Sequence, residues 1–188
     1  MKRFDKSTIL SLWLSIILIV GGCAATQTLS LDADTYHERG IANATKGQYD
    51  KAIADFNRAI KIDPKHFGAY FSRGRTYIAK YRPDKAIADF SKAIELNPRN
   101  DFAYYFRGIA YLGKYNYDKA ILDFSQAIEI NPMFAMAYEC RAQAYLGLSV
   151  EERNWESTEY KRLDDKATSD FNKAEEIDPT IAEDAKNS

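Results

Sequence analysis

The sequence predicts an all-α chain, an α-solenoid of about four stacked helix-turn-helix hairpins. Three observations carry this. Pro64, Pro98 and Pro132 lie 34 residues apart, and Pro179 follows 47 residues later. Between them one phrase recurs as "YHERGIANATKGQYDKAIADFNRAIKIDP", "YFSRGRTYIAKYRPDKAIADFSKAIELNP" and "YYFRGIAYLGKYNYDKAILDFSQAIEINP". A fourth copy runs from Tyr138 to Pro179 around an insertion of 13 residues. Composition agrees, because 13 tyrosines against 9 glycines and 5 prolines suit packed helices better than a turn-rich β-sandwich. The 188 residues suffice for one domain with a real core. A net charge of −1 and ordinary apolar and charged fractions speak against a disordered tail and against nucleic-acid binding by bulk electrostatics.

The first element is a targeting segment. Lys2, Arg3 and Lys6 precede the uncharged run "TILSLWLSIILIV", Thr8 to Val20, and small residues follow it. A basic start, a short apolar run and a small-residue exit describe a secretory signal. The run is short for a spanning helix, which needs about 20 residues. Including Gly21 to Ala25 nearly reaches that length, so an uncleaved anchor is the alternative. The stretch Val20-Gly21-Gly22-Cys23 resembles the bacterial lipobox. That resemblance implies a signal peptide over 1–22, diacylglyceryl attachment to the Cys23 thiol, cleavage just before it, and acylation of the new N-terminus. Two or three acyl chains attach a protein stably to a bilayer where one does so marginally. Losing three basic residues and one acidic residue with the signal would take the net charge from −1 to −3. Ala24 stands where an Asp resembles an inner-membrane retention signal in enterobacterial lipoproteins. Its absence points to the outer membrane, with the domain facing the periplasm. A linker over 23–32 follows, and its roughly ten residues reach about 35 Å at full extension.

The repeats come next, at 33–66, 67–100, 101–134 and 135–181, leaving a tail over 182–188. In the second half of the first repeat Ala52, Ile53, Phe56, Ala59 and Ile60 fall on one face of a helix, and the pattern recurs. In the first halves Tyr36, Tyr70, Tyr104 and Tyr138 precede Gly40, Gly74, Gly108 and Ala142 by four residues. A glycine inside a helix costs about 1 kcal/mol against alanine, which is tolerable where it lets the paired helix approach. Asp63-Pro64, Asn97-Pro98, Asn131-Pro132 and Asp178-Pro179 end helices and start turns. Pro83 falls where a second helix begins, a position that tolerates proline. A period of 34 with these small residues, an Ala-x-x-x-Phe and a closing proline resembles the tetratricopeptide repeat. The resemblance implies a superhelix stabilised by stacking, since one hairpin cannot bury its apolar face alone.

The residue before the small Gly or Ala, often leucine in that family, is arginine here: Arg39, Arg73, Arg107 and Arg141. Each repeat also carries an aspartate just before its phenylalanine, at Asp55, Asp89, Asp123 and Asp170. A partly buried arginine needs a carboxylate partner, so Arg–Asp pairs are expected within or between repeats, as a register device rather than as catalysts.

In a curved stack the first helices line the concave side. Helical spacing puts a stripe there: His37 and Ile41, then Phe71, Arg75 and Ile78, then Phe102, Tyr105 and Ile109, then Glu139 and Gln143. Phe71, Phe102 and Tyr105 read as a platform for an apolar or aromatic peptide segment, with Arg75 available to a carboxylate or backbone carbonyl. The alternative is that some of these aromatics pack between helices. The family's best-known groove uses lysines and asparagines to clamp a terminal carboxylate. The matching positions here hold His37, Ile41, Ser72, Phe102 and Phe106, which is not that clamp.

The insertion, about 149–164, reads "SVEERNWESTEYKRLD". With neither glycine nor proline it should be helical or a helical excursion, capping the stack or docking a partner through Trp155 and Tyr160. His37, His66 and the thiol of Cys140 do not fall into a metal-ligand spacing or a hydrolase elbow, and no phosphate-cradling loop is present. The reading is therefore a non-enzymatic chain without cofactor or metal. It expects an envelope adaptor for protein or peptide partners, anchored in a membrane by lipid. Similar lipoproteins assist pilus secretin assembly, outer-membrane protein assembly or control of cell-wall hydrolases. The rival reading is a structural solenoid that associates with itself through its uncapped end and the insertion.

Overall fold

A computed structural model describes residues 32–152 and 154–181. The signal segment 1–22, Cys23, the linker as far as residue 31 and the tail 182–188 lie outside the described residues. Among the described residues there are eight helices: α1 (Ala33–Thr45), α2 (Tyr49–Ile62), α3 (Phe67–Ala79), α4 (Pro83–Leu96), α5 (Asp101–Leu112), α6 (Tyr117–Ile130), α7 (Ala135–Glu151) and α8 (Thr158–Ile177). They pair as four antiparallel hairpins, each packed on the next. The first helices α1, α3, α5 and α7 also touch one another in succession, whereas the second helices do not. That asymmetry closes the first-helix side and opens the second-helix side, which is what bends a solenoid.

Local chemistry explains the punctuation. Asp32, Asn100 and Ser157 cap α1, α5 and α8 by accepting from the backbone N–H three residues on, at 2.7, 2.8 and 3.0 Å. His66 caps α3 with its ring, Nδ1 accepting from Ala69 N at 3.2 Å. At the other ends Asp63, Asn97, Asn131 and Asp178 each accept from the N–H two residues later. These Asx turns hold the Asp/Asn-Pro corners that separate repeats.

The core repeats with the sequence. Phe56, Phe90 and Phe124 are fully buried. Each presses on its glycine so closely that a β-carbon at Gly40, Gly74 or Gly108 would sit 2.5, 2.9 or 2.6 Å from the ring. In the fourth repeat Ala142 supplies that methyl, and Phe171 is only half-buried. Ile60 and Ile128 pack toward the next repeat, against Ala69 and Ala137. Their counterpart on α8 is the exposed Glu175, so the outer face of the last helix is polar, as a terminal repeat requires.

The insertion lengthens both helices of the last hairpin. Helix α7 has 17 residues against 13, 13 and 12 for the other first helices, and α8 has 20 against 14. Buried Ser149 and Leu163 hold the extension together, and Gly147 lets Tyr117 of α6 lie against α7.

Candidate functional site

The first-helix side carries a groove between α1 and α3, about 280 Å³ in volume, with Ile41 and Ala44 on one wall and Ser72, Arg75 and Thr76 on the other. Tyr49 and Phe56 of α2 form its floor. Ile41 is exposed, an apolar side chain presented to solvent. Thr76 is buried, its hydroxyl turned back to donate to Ser72 O at 2.8 Å. Arg75 is exposed, its guanidinium lies 5.1 Å from the centre of the Phe106 ring, and it has no carboxylate partner among the described residues. The stacking presents a cation at the groove mouth with reduced side-chain freedom.

Beside Ser72 of this groove's wall two imidazoles meet. His37 and His66 lie 4.8 Å apart, ring centre to ring centre. His37 Nε2 is 3.0 Å from Ser72 Oγ, and His66 Nε2 is 3.1 Å from Asp34 Oδ1. Burial, then the neighbouring His66, pushes the His37 ring below its ordinary proton affinity.

Along the rest of the stripe the side chains divide. Phe102 is exposed, with its ring 5.0 Å from that of Phe134. Phe71 is half-buried and wedged against Phe90 and Phe106, and Ile78 packs into the same cluster. Ile109 lies against the core of the third and fourth repeats. Tyr105 is only 7% exposed, packed on Phe106, Phe124 and Phe134. The platform expected from Phe71 and Tyr105 is thus core packing between repeats, because Phe134, at the end of the same repeat, and Cys140 of the next cover the tyrosine. Its hydroxyl accepts from Cys140 Sγ at 3.7 Å, and burial pushes the thiol up to about 11, away from reactivity. Gln143 donates to Glu139 at 3.2 Å, one turn back on α7. At the far hairpin Trp155 is exposed and Tyr160 half-buried. Tyr49 and Thr76 also line the groove, and the stripe passes over them.

The arginines and aspartates meet within each repeat. Arg39 reaches Asp55 at 2.9 and 2.6 Å, Arg73 reaches Asp89 at 2.8 and 2.6 Å, and Arg107 reaches Asp123 at 2.8 and 2.7 Å. Across the insertion Arg141 reaches Asp170 at 2.7 Å through both nitrogens. The remaining guanidinium nitrogen bonds the preceding repeat: Arg73 to Asn57, Arg107 to Ser91 at 3.1 Å and Arg141 to Ser125 at 2.9 Å. The planar forks of Arg73, Arg107 and Arg141 therefore fix both the hairpin and its neighbour, and that of Arg39 fixes its hairpin alone.

Models of the tetratricopeptide repeat match residues 33–66, 67–100 and 101–134, more than half of the chain. The chain belongs to the tetratricopeptide repeat family. Among solved structures, this tetratricopeptide repeat protein is similar to a crystal structure of MamA, with 28% identity and a TM-score of 0.69 over 80% of this chain and 81% of that one. It is also similar to the tetratricopeptide repeat domain of Arabidopsis OM64, with 25% identity and a TM-score of 0.58 over 60% of this chain and 93% of that one. The first such domain of Spaghetti (RPAP3), bound to the HSP90 peptide SRMEEVD, shares the fold at 24% identity and a TM-score of 0.61, covering 62% and 93%. No curated protein sequence matches the chain.

Proposed function

We propose that this tetratricopeptide repeat protein is an adaptor of the cell envelope, held at a membrane by lipid on Cys23, that docks a peptide segment of a partner in the groove between α1 and α3. The groove itself carries the reading. An exposed isoleucine faces an arginine without a carboxylate partner across about 280 Å³ of open space, over a floor of Tyr49 and Phe56. Apolar surface with one convergent cation suits a short segment that offers an apolar side chain beside a carboxylate or carbonyl. The Spaghetti domain holds a peptide on the same architecture, and its SRMEEVD ligand is acidic. The lipidated cysteine rests on the sequence Val20-Gly21-Gly22-Cys23.

Crosslinking in the native cell, followed by identification of what is captured, tests the groove. Ile41→Glu and Arg75→Glu both change exposed groove positions, so circular dichroism should be unaltered while the captured partner is lost. Unchanged capture with both variants would sink the groove reading. For the anchor, Cys23→Ser should release the folded protein from the membrane fraction. If fractionation is unchanged, the uncleaved apolar segment is the anchor instead.

A further inference from the structure

The turns joining the two helices of each repeat run along one edge of the stack. Lys80 of the second turn pairs with Asp50 at 2.6 Å, Lys114 of the third pairs with Asp84, and Tyr117 lies against Gly147 of the last hairpin. These contacts put the four turns side by side in chain order. Two features of this edge set it apart, although Lys85 and Lys119 also lie over the Tyr77 and Tyr111 rings at 5.5 Å. Tyr81 and Tyr115 have φ of 53° and 56°, the left-handed region that a β-carbon disfavours, where the first repeat has Gly47 at 71°. Their rings nevertheless project into solvent, 91% and 76% exposed. The edge is also charged unequally. Lys46, Lys51, Arg82, Lys85 and Lys119 have no carboxylate partner among the described residues, against Asp118 alone. At the last turn the sign reverses, with exposed Glu151, Glu152 and Glu156 beside exposed Val150 and Trp155. From Val150 to Ser157 the sequence sets those three glutamates against Arg153.

We infer that this edge is a homodimer interface, in which the acidic, Trp155-bearing turn of one copy docks on the basic, Tyr81-bearing turn of a second copy. Both halves of the contact are on one chain, so a two-fold axis satisfies both at once. The axis passes near the third turn, where Lys114 is already neutralised by Asp84 and Tyr115 can meet its own symmetry mate. Opposite charge around exposed aromatic anchors gives such a contact its orientation, and exposed rings gain most from being covered. A parallel, unshifted pairing would instead set acidic turn on acidic turn. This inference does not depend on the groove between α1 and α3 or on the lipid.

The test uses the full chain in neutral detergent, with mass read by sedimentation across a range of protein and salt concentrations. A dimer that weakens as salt rises is expected. Arg82→Glu with Lys85→Glu, and separately Glu151→Lys with Glu152→Lys and Glu156→Lys, should each weaken dimerisation at least about tenfold. Mixing these two variants, differently tagged, should restore a co-purifying pair, since each then offers the other its missing sign. Circular dichroism checks folding, and Trp155→Ala, which changes no charge, should also weaken the dimer. A wild-type monomer at every concentration overturns the proposal. So does an oligomer that survives both charge reversals, which would place association elsewhere, or a mixture that fails to pair. Capture of phosphatidylglycerol vesicles by the edge of a monomeric chain would overturn it in favour of a lipid surface.

Discussion

Replacing Asp89 with alanine should be among the most damaging single changes outside the apolar core. The carboxylate receives two hydrogen bonds from Arg73, at 2.8 and 2.6 Å, and both side chains are largely buried. The same guanidinium bonds Asn57 of the preceding repeat and sits over the Tyr70 ring at 5.5 Å, so it cannot swing into water without breaking the inter-repeat contact. Removing one partner of a buried pair costs about 3–5 kcal/mol, because the other charge is left uncompensated. Remaining access to solvent puts this site near the lower end, so the expected loss is about 3 kcal/mol for Asp89→Ala. Arg73→Ala should cost about as much, and the double variant about 4 kcal/mol, a coupling of about 2 kcal/mol. Urea unfolding followed by far-ultraviolet circular dichroism measures all three. Asp55→Ala in the first repeat should lose less, since the side chain of its partner Arg39 is 44% exposed against 17% for Arg73 and has no preceding repeat to hold it. Additive losses in the Arg73/Asp89 cycle, or a larger loss at Asp55 than at Asp89, would refute the argument.

Other consequences follow from the same geometry. Phe90→Ala should cost about 3–5 kcal/mol and leave a cavity under Gly74, whereas Phe171→Ala, at a half-buried ring, should cost clearly less. Gly74→Ala should destabilise by about 1–3 kcal/mol, because its new methyl would stand 2.9 Å from the Phe90 ring; urea midpoints report both changes. His37 binds a proton less readily in the fold than in the unfolded chain, so its contribution is complete above about pH 6.5 and is lost as pH falls below that value. His66, Asp34, Glu38 and the Gly68 carbonyl all bear on this ring, and His37→Gln should flatten the dependence of the melting temperature on pH in that range. The Cys140 thiol should resist maleimide in the folded chain and react on unfolding in urea, which mass spectrometry of its peptide would resolve from Cys23.

The architecture could be read from the chain because each physical requirement recurs at one period. Phe56, Phe90 and Phe124 need a glycine opposite them, the Asp/Asn-Pro corners need an Asx turn, and both recur every 34 residues. The concave face was legible only in part. Helical spacing tells which side of a helix a residue occupies, but not what the following repeat lays over it. Ile41 and Arg75 stay open because α1 and α3 carry small residues between them, Ala44 and Thr76. Tyr105 is closed off because the corner at Phe134 and Cys140 of the next repeat fold over it. Backbone handedness was harder still. Nothing about a tyrosine announces a positive φ, and the one clue was that Tyr81 and Tyr115 align with Gly47. The insertion reads as helical from its lack of glycine and proline, and both of its ends continue helices already present, where Leu163 and Ser149 find burial.

The arginine forks also make the repeats exchangeable parts. Arg73 and Arg107 grip their predecessors at the same place, on Asn57 and Ser91, and Lys80 and Lys114 meet Asp50 and Asp84 in the same way. Excising 67–100 as a block would bring Arg107 against Asn57 and Lys114 against Asp50, so these two joints would be refilled by a residue of the same kind, whereas Phe102 and Phe106 would replace Gly68 and Ser72 beside His37. A gene encoding such a chain can shorten or lengthen its arm in whole steps while keeping its polar joints, leaving only the apolar seam beside His37 to be refitted, so reach can evolve separately from what the two ends do.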